Sequence, residues 1–151
     1  MRPFSGATRL LVLATTLLAL SVPLGAWTRP SDPSHKLTVL IRGFHSNQGG
    51  VVVLLFRGAE GFPLHQAAAY QTRRVLISNR ECPVVFDNLP QGRYAVVAYH
   101  DVNGNNQWDR QGVEGTTCSQ LAVQPSGPPT YMEASFPLSA PRQGLQLTMW
   151  Y

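Results

Sequence analysis

The sequence predicts an all-β domain, an antiparallel β-sandwich of seven to eight short strands, and three observations carry that prediction. Apolar residues either alternate with polar ones or run in short β-branched blocks. Turn-forming residues punctuate the chain between those blocks. Beyond the N-terminal segment, no stretch of 10 to 15 residues has a helical period. A closed barrel is the alternative architecture.

The strands follow in chain order. Leu37, Val39 and Ile41 alternate with Thr38, Leu40 and Arg42, and a turn-rich connection over 43–50 ends in Gly49-Gly50. Residues 51–56 form an unbroken apolar run, suited to a strand buried on both faces. Gly58, Gly61 and Pro63 make 57–69 a loop, with room for a short helical turn at 64–69. Residues 70–77 are more polar and read as an edge strand, and Asn79-Arg80-Glu81 then turns the chain into a strand over 82–86. In the turn over 87–92, Pro90 pre-sets φ and Gly92 tolerates positive φ. The best-defined strand follows at 93–100. Further strands are expected at 118–123, 131–138 and 145–151, separated by Pro/Gly/Ser linkers.

The N-terminus has a different character. Arg2 and Arg9 precede an apolar run over 10–24 and a small-residue exit at Gly25-Ala26, the pattern of a secretory signal peptide over 1–26. An uncleaved anchor is the alternative, although the run falls short of the roughly 20 residues of a spanning helix. No cysteine near the exit offers a site for lipid attachment. Residues 27–35, with two prolines and two serines, are expected to form a disordered lead-in to a single domain over 36–151. Export implies a periplasmic or secreted protein without stable membrane insertion once the signal is removed.

Charge excludes one class of partner. The chain has 12 basic and 8 acidic residues, and losing Arg2 and Arg9 leaves ten against eight, scattered rather than clustered. That distribution gives no electrostatic footprint for nucleic acid. Cys82 and Cys118 are the only cysteines, and in an oxidising compartment a disulfide between them is the simplest reading. It would close a loop of 37 residues (82 to 118 inclusive), worth roughly 3–4 kcal/mol by the chain-entropy account. Two free thiols are the alternative.

The segment that could carry chemistry is Asp101-Val102-Asn103-Gly104-Asn105-Asn106-Gln107-Trp108-Asp109. Asp101, Asn103, Asn105 and Asp109 stand at relative positions 1, 3, 5 and 9, with the Gln107 carbonyl at position 7. Alternate side chains of a tight loop can turn oxygens onto one point, which is what Ca²⁺ requires. The match then weakens, because Asn106 stands where the calcium loop has glycine and Gly112 where it has a bidentate glutamate. Glu114 could supply that carboxylate from a longer loop. With so few carboxylates a site would be weak, toward the millimolar range of extracellular modules. The competing reading is a long hairpin connection held by Asx turns.

His100-Asp101 suggests a general-base pair, but neighbours on a strand point to opposite faces. No nucleophile elbow, metalloprotease helix or phosphate loop accompanies them, and His35, His45 and His65 are scattered. Among Trp108, Trp150, Tyr94, Tyr99, Tyr131 and Tyr151, only Trp108 is expected to be exposed for ligand contact, with His100 a lesser candidate.

The run Phe86-x-x-Leu89-Pro90-x-Gly92-x-Tyr94-Ala95-Val96, followed by His100-Asp101-x-Asn103-x-Asn105-x-x-x-Asp109, resembles the signature of an uncharacterised secreted bacterial family, domain of unknown function 2141. Glu114-Gly115 with Ser119, and Glu133-Ala134-x-Phe136, are similar to its later segments. The resemblance spans most of 36–151 and implies an exported immunoglobulin-like or prealbumin-like (transthyretin-like) sandwich, with no reaction attached. The chain departs from the pattern in a shortened segment after Asp109 and in its two cysteines.

The resulting expectation is an exported, non-catalytic binding or envelope structural module. Its partner would be an unidentified envelope or extracellular component, and its polar loop could hold Ca²⁺. A small hydrolase or isomerase centred on His100, and a purely structural domain without ligand, are the alternatives. The edge at 70–77 could accept a strand from another chain.

Overall fold

In β1 (His35–Arg42) the strict alternation of the sequence becomes alternating burial, with Leu37, Val39 and Ile41 fully enclosed and their neighbours facing outward. The computed structural model describes residues 34–122 and 124–151. The signal peptide expected at 1–26 lies outside the described residues. So does the expected lead-in apart from its last two residues, of which His35 already belongs to β1.

β1 is the centre of a three-stranded sheet, between β4 (Glu81–Leu89) and β8 (Arg142–Thr148). The second sheet has five strands in the order β3 (Gln71–Leu76), β2 (Gly50–Phe56), β5 (Gly92–Asp101) and β6 (Thr116–Cys118), with β7 (Phe136–Leu138) also paired to β5. The two sheets pack face to face, as expected of a sandwich. Val51, Val53 and Leu55 of β2 and Tyr94, Val96 and Ala98 of β5 meet Leu37, Val39, Ile41, Val84 and Phe86 across one core. One pairing departs from the antiparallel expectation: β8 runs parallel to β1, Lys36 opposite Arg142 through Arg42 opposite Thr148.

The unbroken apolar runs of β2 and β5 reflect a second layer. Val52, Leu54 and Phe56 of β2 and Ala95, Val97 and Tyr99 of β5 point to the other face of the five-stranded sheet. There the 57–70 connection and the segment after β6 cover them with Phe62, Leu64, Leu121 and Tyr131. Residues 51–56 are thus buried on both faces, as their composition predicts. β3 is the edge strand that its polar sequence suggests, with Leu76 80% exposed. The short helical turn expected at 64–69 is a 3₁₀ turn at Gln66–Ala68.

Two seams join the sheets. Asn79 and Arg80, both at positive φ, turn β3 into β4, with Ser78 and Glu81 exchanging backbone hydrogen bonds. Beyond β8 the chain crosses to the larger sheet, where Trp150 and Thr116 exchange a pair of hydrogen bonds at 2.8 Å.

Four expectations are corrected. Cys82 and Cys118 are both free thiols. Cys82 lies between the sheets and Cys118 on the outer face of the larger one, so a sheet separates them. Of the strand expected over 118–123 only Cys118 pairs as strand, as the last residue of β6 (Thr116–Cys118), because Ser119 and Gln120 turn, the latter at positive φ. The strand expected over 131–138 begins as a one-turn helix, α1 (Tyr131–Ala134), since Thr130 and Glu133 form a capping box. In the 87–92 turn the positive φ belongs to Asn88 instead of Gly92. Among the described residues, no helix is long and apolar enough to cross a membrane.

Candidate functional site

The polar loop is the connection between β5 and β6, and the register of those strands sets its two ends. His100 and Asp101, the last residues of β5, leave the strand on opposite faces, as alternation requires. His100 turns toward Phe44 of the inter-sheet core, edge to face at 5.4 Å. Its Nε2 lies 2.7 Å from the Gln48 carbonyl, which can only accept, so Nε2 holds the proton. Nδ1 then accepts from the Tyr151 hydroxyl at 2.7 Å, which in turn accepts the His45 N–H. Both ring nitrogens are engaged inside the protein, and no His100–Asp101 dyad forms.

Asp101 is only 5% exposed. Its Oδ2 accepts the backbone N–H of Asn106 at 2.9 Å, while Oδ1 is buried without a hydrogen-bond partner among the described residues. The loop then tightens through two left-handed residues, Gly104 and Asn106. Asn tolerates that conformation, which explains its place where a calcium loop has glycine. Asn103 Oδ1 accepts the Asn105 N–H, and Asn105 Oδ1 accepts the Gln107 N–H, two successive Asx turns. The Asn103 and Asn105 amide groups both donate to Asp109 Oδ2, at 2.8 and 3.0 Å. Asn103, Asn105 and Asp109 therefore converge on one side of the loop, with Asp101 at its base. Gln107 enters through its N–H alone.

Glu114 has a different part from the one expected. It is buried, and both carboxylate oxygens accept backbone N–H groups, Oε1 from Val102 at 3.0 Å and Oε2 from Asp109 at 2.9 Å. It ties the two limbs of the loop together instead of offering free oxygens. Among the described residues, no three His, Cys, Asp or Glu side chains come together in a group able to hold a metal ion. A cation here would depend on two carboxylates, Asp101 and Asp109, together with amide and carbonyl oxygens. It would also have to displace the two asparagine amides from Asp109.

Trp108 is only partly exposed, against the expectation of a ring standing in solvent. It is half-buried against the outer-face cluster, its indole N–H donates to the Glu114 carbonyl at 3.2 Å, and the Arg110 guanidinium sits 5.1 Å over its ring. Gly115 must be glycine, because a Cβ there would lie 2.5 Å from the Trp150 carbonyl oxygen.

Three residues beyond the loop brace it, and sequence reasoning missed them. The Tyr99 hydroxyl donates to the Asn106 carbonyl at 2.8 Å, Gln66 Nε2 donates to the Tyr99 oxygen at 2.7 Å, and Arg74 Nε donates to Asn106 Oδ1. Burial, and secondarily the Asp101 carboxylate, push the Tyr99 phenol up to about 12. The period-2 register that aligns Arg74, Val52 and Tyr99 in one row across β3, β2 and β5 was the only available signal.

Comparison with curated proteins and with solved structures returns no match. One family model does match, over residues 39–146, and its description is an uncharacterised protein conserved in bacteria. That span runs from within β1 to within β8 and takes in the whole polar loop, so the chain belongs to the family of domain of unknown function 2141.

Proposed function

We propose that this protein is an exported, non-catalytic binding module whose Asp/Asn loop holds a weakly bound Ca²⁺ and thereby stiffens the loop that seats Trp108. The observation that carries the reading is Asp101 Oδ1, a buried carboxylate oxygen left without a donor at the base of an oxygen-rich loop. An unsatisfied buried acceptor costs about 1–3 kcal/mol, and a cation would relieve it. Asp101, Asn103, Asn105, the Gln107 carbonyl and Asp109 would supply the oxygens, and Ca²⁺ would supply the charge that cross-links them. The basic segment followed by an apolar run at 1–26 supports export to the periplasm or beyond. An envelope or extracellular component is then the partner.

A purely structural domain is the second reading. The otherwise closed hydrogen-bond network of Asn103, Asn105, Asp109 and Glu114, which holds the loop without any ligand, favours it.

Thermal unfolding in EDTA and in millimolar Ca²⁺ separates the two, because a ligand of the folded state alone raises stability by RT ln(1 + [L]/Kd). The expected result is a calcium-dependent rise in Tm that Asp101→Asn abolishes, with Asp101→Asn no less stable than the native chain in EDTA. An identical Tm in both conditions rejects the cation and leaves the structural reading.

A further inference from the structure

A cavity of about 560 Å³ opens on the outer face of the five-stranded sheet, between the 57–70 connection and the segment after β6. This volume lies within the roughly 300–1,000 Å³ of small-molecule sites. Trp108 and Trp150 line it together with Phe62, Leu64 and Cys118, and Pro125, Pro128 and Pro129 contribute from the later segment. Two indoles and a phenyl ring offer flat apolar surface of the kind that rings and hydrocarbon chains pack against.

Charge narrows the occupant. No Asp or Glu lines the cavity, whereas Arg110 and His65 do. Arg110 is exposed, lies 5.1 Å over the Trp108 ring and takes part in neither of the two ion pairs found among the described residues. Its planar fork of donors is free to take a carboxylate in the bidentate fashion that guanidinium favours. The nearest acids in sequence, Asp109 and Glu114, are already occupied by the Asn103 and Asn105 amides and by backbone N–H groups.

We propose that this cavity binds a small organic acid, with an apolar body packed against Trp108 and Trp150 and a carboxylate held by Arg110. The proposal rests on the binding-module reading and not on the cation at the loop.

The test is calorimetric titration of the purified full chain, in EDTA, with naphthoate, its neutral counterpart naphthamide, and decanoate. At least one acid is expected to bind saturably, with naphthamide weaker than naphthoate by roughly ten-fold or more, the scale of a charge-assisted contact. The tighter of the two acids identifies the body as ring or chain. Arg110→Gln is expected to bring the acids down to the level of the amide measured on the same variant. Absence of saturable binding by either acid up to millimolar concentration overturns the proposal. So does naphthamide binding as tightly as naphthoate in the native protein, a comparison that needs no variant. A calcium-dependent Tm without acid binding removes this proposal alone, and acid binding in EDTA without any calcium response removes the cation alone.

Discussion

Glu114 Oε1 accepts the backbone N–H of Val102 at 3.0 Å across twelve residues of chain, while its other oxygen accepts that of Asp109 at 2.9 Å. One buried carboxylate thus closes the loop that connects β5 to β6 and ties the Asp109 backbone to that of Val102. The Trp108 indole completes the closure by donating to the Glu114 carbonyl.

Removing that strut should open the loop without unfolding the sheets. Glu114→Ala leaves two N–H groups without acceptors at a buried position, and the expected cost is about 1–3 kcal/mol. Glu114→Gln keeps one acceptor oxygen and should cost less. Denaturant unfolding measures both, and native-state amide exchange of Val102 and Asp109 should quicken in the alanine variant. Unchanged protection at those two amides would dismiss the strut.

The thiols should remain free in the oxidised protein. Burial pushes the Cys82 thiol up to about 11 and the Cys118 thiol up to about 12, so neither is thiolate at neutral pH. Both should resist alkylation in the native state and react fully in denaturant. Reducing agent should leave Tm unchanged. A mass two hydrogens short of the reduced chain would show a bridge and a different arrangement of the two layers.

Alkaline pH should unfold the protein through the same buried acids. The Tyr99 phenol rises from 10.0 to about 12, and the Cys118 thiol from 9.0 to about 12. Each is raised in the folded state, so its contribution is fully present below the ordinary value and is lost as pH climbs through about 12. Burial raises Tyr94, Tyr131 and Tyr151 as well, so tyrosinate absorbance should show Tyr99 as the last phenol to ionise, in step with loss of the folded signal. In a Tyr99→Phe variant that late step should vanish. If every tyrosine of the native protein titrates near its ordinary value, Tyr99 does not sit in the enclosed bracket formed with Gln66 and Asn106.

Much of the fold was legible because strands announce themselves locally. The alternation of 37–42, the unbroken apolar run of 51–56 and the polarity of 71–76 report one-sided burial, two-sided burial and an edge, each set by the faces that a strand shows to its neighbours. The places that misled were those where a local signal had two outcomes. Thr130 and Glu133 spell a capping box inside what reads as strand, and the side chains closed a helical turn before β7 could begin. Asn88 supplied a left-handed residue that was sought at Gly92.

The sequence by itself determined the all-β class, the first five strands and the place of the oxygen-rich loop, since all of these follow from residues within a few positions of one another. Only the tertiary structure decided that β8 runs parallel to β1, that Cys82 and Cys118 lie on opposite sides of a sheet, and that Trp108 and Trp150 share a cavity. It likewise decided that Glu114 and Tyr99 brace the loop. Those relationships join residues far apart in the chain, and no local preference specifies them. They are settled when apolar faces from distant strands must be buried together and each buried polar group must find its partner.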